Sequence, residues 1–115
     1  MEIKETTMDE TTVIGIEGRL DTTNYAILEN KLMSLIDGGQ VKIIMDCSKM
    51  DYISSSGLRV FLLGLKKITI MKGRFILTDL QETIREIFEI AGFTSIFEIY
   101  KTQEEAVDVL ERLRG

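Results

Sequence analysis

The chain has 115 residues, of which 44% are hydrophobic, and this length and composition fit one compact α/β domain with a buried core. It carries 14 basic and 19 acidic residues, a net charge of −5 without a basic stripe, which argues against direct nucleic-acid binding. Because the chain has no histidine, it lacks the usual zinc ligand and the usual general base of hydrolytic triads.

The sequence shows no pattern typical of export or membrane insertion. No apolar run reaches the roughly 18 residues that a membrane-spanning helix needs, and the segment MEIKETTMDE lacks the apolar middle of a secretory signal. The single cysteine, Cys47, has no partner for an internal disulfide, which suits a reducing compartment. We therefore expect a cytoplasmic protein that neither spans a membrane nor holds a metal or cofactor.

The first half of the chain predicts a hairpin, a helix and a central strand. The segment Glu2–Met8 pairs with the β-branched, alternating run Thr11–Leu20 through a turn at Asp9-Glu10. Apolar residues then recur at the spacing of one helix face, at Tyr25, Leu28, Leu32, Leu35 and Ile36. Gly38-Gly39 ends this helix. The nearly continuous apolar run Val41–Cys47 is typical of a strand in the middle of a sheet.

The second half predicts three helices that alternate with two strands. After the loop SKMDYISSSG, helical spacing returns at Leu58, Phe61, Leu62, Leu65 and Ile68. Strands follow at Arg74–Thr78 and Ile96–Tyr100. Capping-box patterns precede the last two helices, namely Asp79 with Glu82 and Thr102 with Glu105. The order β-β-α-β-α-β-α-β-α predicts one domain over residues 1–115, an α/β fold whose mixed sheet packs with about four helices.

Three consecutive hydroxyls mark the junction between the central strand and the second helix. Ser54, Ser55 and Ser56 lie where a helix N-terminus offers free backbone N–H groups and the positive end of its dipole. A serine here can cap the helix, which on spacing alone is the more frequent use, or it can carry a phosphate of charge about −2. We expect Gly57 to leave the backbone uncrowded, so that a kinase cleft can approach.

Two sequence motifs indicate the class of function more specifically than composition does. One is Asp46 and Ser48 followed by Tyr52-Ile53-x-Ser55-Ser56-Gly57-Leu58, and the other is Gly18-Arg19-Leu20-Asp21. Together they resemble the signature of STAS domains, in particular the bacterial anti-sigma-factor antagonists. The resemblance covers nearly the whole chain, including the closing segment FTSIFEIYKTQEEAV. It implies a STAS-type domain that regulates transcription by binding proteins and is not an enzyme.

The resemblance also implies residue roles. Ser55 becomes the site that a cognate serine kinase phosphorylates, with Ser56 and Ser54 as less favoured acceptors. The implied partner contacts are Asp21, Thr22, Ser54, Ser55, Ser56, Gly57, Leu58 and Arg59. The partner is then an anti-sigma factor with serine kinase activity, which binds the unphosphorylated chain, and a serine phosphatase resets the switch. Ser54 departs from the family pattern, because many members carry aspartate there.

Two other classes of function remain open. An aspartyl-phosphate receiver would use Asp46 or Asp51 as acceptor, but receivers alternate strands and helices from the start, whereas this chain begins with a hairpin. A STAS module that is not phosphorylated and binds a nucleotide, a lipid or a signalling complex is the second alternative, because a helix N-terminus can hold a ligand phosphate. The chain has neither common glycine-rich phosphate loop.

Overall fold

A computed structural model describes residues 1–114, with side chains through residue 112, as one sheet packed with helices. The strands are β1 (Glu2–Met8), β2 (Thr11–Leu20), β3 (Lys42–Ile53), β4 (Arg74–Thr78) and β5 (Glu98–Tyr100). The helices are α1 (Tyr25–Asp37), α2 (Ser55–Ile70), α3 (Glu82–Ile90) and α4 (Gln103–Arg114). Within these residues the predicted α/β fold, with its mixed sheet and four helices, is confirmed.

The strands follow one another across the sheet in the order β1-β2-β3-β4-β5. The first pair is antiparallel, and the other three pairs are parallel. This places β3 at the centre, as its continuous apolar run predicted. Because β2 to β5 share one direction, their C-terminal ends and the N-termini of all four helices meet at one edge of the sheet. The three serines lie at this edge.

Helices cover both faces of the sheet. One face packs against α1, α2 and α3 around edge-to-face contacts of Phe61 with Phe75 and Phe88. The other face packs against α4, where Ala106 and Leu110 join the strand residues Val13, Ile44 and Ile76. The buried residues of α2 run from Gly57 to Ile68, so the helix packs on the sheet along its length. This packing holds its N-terminus at the edge.

Strand β3 is longer than predicted. The sequence predicted a loop after Cys47, but the strand continues to Ile53 and keeps pairing with β2, with register shifts after Gly15 and Gly18. These shifts break the alternation, so that the buried residues Met50 and Ile53 fall three apart instead of two. The bulged pattern therefore concealed the strand, which carries the chain to the start of α2.

Other boundaries differ near α3 and β5. The capping box predicted at Asp79 is wrong: Asp79 has φ of 59°, and Gln81 precedes α3 without a side-chain capping bond. The cap predicted at Thr102 is confirmed, since its Oγ1 accepts the N–H of Glu105 at 3.2 Å. Strand β5 begins two residues later than predicted, because Phe97 still belongs to a turn after α3. Leu113, the last apolar position of the amphipathic pattern that predicts α4, lies outside the described side chains.

Candidate functional site

Ser54 and Ser55 occupy different positions at the start of α2. Ser54 is the N-cap: its Oγ accepts the N–H of Gly57 at 3.2 Å, and its own N–H donates to the carbonyl of Leu20 at 2.9 Å. Ser55 is the first residue of the helix, and it is exposed. Its hydroxyl makes no hydrogen bond to any residue that the structure describes. The capping role weighed for the cluster therefore falls to Ser54, while the Ser55 hydroxyl stays accessible.

Ser56 follows Ser55 in the first turn of α2. It is half-buried, as is Leu58, which packs against the core, whereas Arg59 is exposed. Greater burial makes the Ser56 hydroxyl harder to reach than that of Ser55. Ser55 is thus the most exposed of the three serines.

The Ser54 cap has a measurable contribution to stability. Ser54→Ala is expected to lower the free energy of unfolding by about 1 kcal/mol, because the N–H of Gly57 loses its acceptor. Ser55→Ala removes a hydroxyl without a protein partner and should change that free energy by less than about 0.5 kcal/mol. Urea unfolding followed by circular dichroism measures both variants. Equal losses in the two would contradict the assignment of Ser54 as the cap.

Gly57 faces the core and not the solvent. It is buried, and a Cβ at this position would lie 2.8 Å from Cγ1 of Ile53 and 2.9 Å from Cγ of Leu20. The expectation that Gly57 leaves the backbone open to a kinase is therefore wrong. Glycine is needed because the first turn of α2 packs directly on the last residues of β2 and β3, and this contact sets the position of Ser54 and Ser55.

The loop between β2 and α1 is held in shape by its own side chains. Oδ1 of Asp21 accepts the hydroxyl of Thr23 at 2.6 Å and its N–H at 2.9 Å. These two bonds, the hydroxyl bond first, hold the pKa of Asp21 below its ordinary value. Asn24 accepts the N–H of Asp21 and donates to the carbonyl of Arg19, each at 2.9 Å. Thr22 is exposed, so this ordered loop presents it beside the end of β2.

Two arginine–tyrosine pairs connect elements at this edge. The guanidinium carbon of Arg19 lies 4.1 Å from the ring centroid of Tyr52, and that of Arg59 lies 5.6 Å from the centroid of Tyr25. Nε of Arg19 also lies 3.5 Å from the Asp21 carboxylate. Each pair joins residues far apart in the sequence, so neither pair could be predicted from residue spacing. They bring cationic and aromatic surface to the same edge as the serines.

An exposed isoleucine extends this surface along α1. Ile27, in the first turn of that helix, is 60% exposed. It was not singled out in the sequence, although its position off the buried stripe of Leu28, Leu32 and Ile36 was a usable signal. With Thr22 and Tyr52, it adds exposed apolar and polar side chains to this edge.

Cavities of ligand size occur elsewhere on the molecule. An open groove of about 720 Å³ lies between α3 and α4, lined by residues such as Leu80, Arg85 and Tyr100. A smaller cavity of about 170 Å³ adjoins Glu17 and Lys49. Neither includes any residue from 54 to 59. Among the described residues, no group of three or more acidic or cysteine side chains is placed to hold a metal ion.

Across residues 1–114, none of the helices combines the length and the apolar character that crossing a bilayer requires.

Known proteins are similar to this chain in fold and in sequence. The STAS domain family matches residues 2–106. The chain is 36% identical over 99 residues to the candidate anti-sigma factor antagonist BtrV of Bordetella bronchiseptica, covering 86% of this chain and 85% of that relative. It is 30% identical over 107 residues to the anti-sigma F factor antagonist of Lysinibacillus sphaericus, covering 92% and 88%. The phosphorylated form of the Bacillus cell fate determinant SpoIIAA matches with a TM-score of 0.76 and 25% identity, over 95% of this chain and 99% of that one.

The chain therefore belongs to the STAS-domain family of anti-sigma factor antagonists. This confirms the resemblance drawn from the two motifs. Membership in this family also confirms that the chain is a regulatory binding protein and not an enzyme.

Proposed function

We propose that this chain is a partner switch that binds an anti-sigma factor through the edge bearing Ser55 and is released when Ser55 is phosphorylated. One observation carries the proposal: the Ser54 oxygen is engaged in the helix cap, while the neighbouring Ser55 hydroxyl is exposed at the first position of α2. The names of the relatives and the solved phosphorylated form of SpoIIAA support it.

The proposed partners follow from this switch. An anti-sigma factor with serine kinase activity transfers the γ-phosphoryl group of ATP to Oγ of Ser55, and a serine phosphatase removes it in the cytoplasm. The docking surface comprises the loop with Asp21 and Thr22 and the first turns of α2 through Arg59. Both segments lie at the same edge, since the N–H of Ser54 bonds the carbonyl of Leu20.

A phosphate on Ser55 acts on the interface more strongly than on the fold. At the first position of a helix it gains roughly 0.3–2 kcal/mol from the dipole, so the domain stays folded. Burying a dianion in a docked interface costs several kcal/mol unless both of its charges are compensated there. Each 1.4 kcal/mol changes an equilibrium constant about tenfold, so this cost is enough to release the partner.

Phosphate mapping tests the proposal. The chain is incubated with ATP and a serine kinase encoded beside its gene, and the phosphate is located by mass spectrometry, with Ser55→Ala as the matched control. Stable label on Ser55 that the control lacks is the expected result. Acid-labile label on Asp46 or Asp51 would instead favour a receiver. Absence of any label would favour a STAS module that binds a nucleotide or lipid without phosphorylation.

A further inference from the structure

Arg59 lies one helical turn after Ser55. Side chains four residues apart on a helix are neighbours, with Cβ atoms about 5–6 Å apart, and a negative group preceding a positive one is the favourable order. Arg59 is exposed, and among the described residues its guanidinium has no carboxylate partner. Its guanidinium carbon lies 5.6 Å from the ring centroid of Tyr25. A cation is thus held within reach of the modification site without being neutralised.

The cationic side chains of Arg19 and of the α2 lysines are less well placed to reach Ser55. Arg19 is already engaged by the carboxylate of Asp21 and the ring of Tyr52. The lysines of α2, Lys66 and Lys67, lie two to three turns further along the helix, and Lys67 pairs with Asp37 at 3.2 Å. Arg59 is therefore the cation best placed to meet new negative charge on Ser55.

We propose that Arg59 binds the phosphate of phosphorylated Ser55 within the same chain and leaves the Tyr25 ring in doing so. A guanidinium donates paired hydrogen bonds to phosphate oxygens, and these charge-assisted bonds are stronger than an exposed contact with an aromatic face at 5.6 Å. The inference rests on the proposed function, because it concerns the phosphorylated state of Ser55.

Phosphorylation and this exchange together change three features of the docking edge. The phosphate adds negative charge at Ser55, the Arg59 guanidinium is no longer available to a partner, and the ring of Tyr25 is uncovered. Because Arg59 carries one charge and the phosphate about two, net negative charge remains at the edge. A partner therefore loses a cationic contact and meets a repulsive group in the phosphorylated state.

The test uses the full chain with phosphoserine at position 55. The phosphoserine is incorporated during synthesis, so that no kinase is needed. Titration followed by ³¹P NMR gives the second pKa of the phosphate in the parent, in Arg59→Gln and in Lys66→Gln. The second pKa should be lower in the parent than in Arg59→Gln by roughly 0.3, because Arg59 favours the dianion. Lys66→Gln removes the same charge from the same helix and should match the parent.

A second readout follows the arginine directly. In the unmodified chain, the side-chain protons of Arg59 should be shifted by the ring current of Tyr25, and phosphorylation should abolish that shift. Equal phosphate pKa values in the parent and in Arg59→Gln would overturn the inference while leaving the switch itself standing. Failure of kinase labelling would have the opposite effect, since the phosphoserine here is installed synthetically.

Discussion

Replacing Gly57 with valine is expected to lower the free energy of unfolding by about 3 kcal/mol. A Cβ alone at position 57 would already lie 2.8 Å from Ile53 and 2.9 Å from Leu20, and valine adds two methyl groups to that overlap. Because the first turn of α2 packs directly on the ends of β2 and β3, the helix must shift or unwind to make room. Thermal and urea unfolding measure the loss, and the Ser54 cap should be disturbed as well.

Alanine substitutions test the packing at Gly57 more gently. Gly57→Ala gains up to about 1 kcal/mol in propensity but adds a Cβ into occupied space, so a net loss of about 1 kcal/mol is expected. Gly15→Ala, in strand β2, is a control for the backbone freedom that any glycine-to-alanine change removes from the unfolded chain, since its Cβ would meet its nearest neighbour, Lys4, at an ordinary 3.8 Å. Stability of Gly57→Val equal to that of the parent would show that the junction is looser than its contacts indicate.

The order of elements could be predicted because burial leaves a period in the sequence. The stripe of α1 and the continuous run of β3 both predicted their elements correctly. The end of β3 could not be predicted, because its pairing with β2 is shifted after Gly15 and Gly18, and the buried residues no longer alternate. A bulge is determined by the partner strand, which the local sequence does not reveal.

The site was predicted in part. The serine run and its helix N-terminus could be located, since both are local features. The reason for Gly57 could not, because the atoms that exclude a side chain belong to Leu20 and Ile53, and Leu20 lies on another strand. The pairs of Arg19 with Tyr52 and Arg59 with Tyr25 are likewise tertiary contacts. Sequence motifs thus identify which residues matter, while packing decides what each one does.

Ser55→Asp is expected to weaken binding to the anti-sigma factor at least tenfold, a change of about 1.4 kcal/mol or more, without lowering thermal stability. Aspartate at the first position of α2 interacts favourably with the helix dipole, so the fold gains or keeps stability. In the docked complex, the same charge must leave water, a cost that one neighbouring arginine does not repay. Calorimetric titration gives the affinity, and thermal unfolding gives the stability.

Thr83→Asp is the matched control for this charge. Thr83 is exposed in the first turn of α3, so aspartate there meets a similar dipole but lies outside the proposed docking surface. Its affinity should equal that of the parent. Ser55→Ala should also bind like the parent, yet ATP should no longer release it. A Ser55→Asp chain that binds as tightly as Thr83→Asp would mean that the partner docks on another part of the domain.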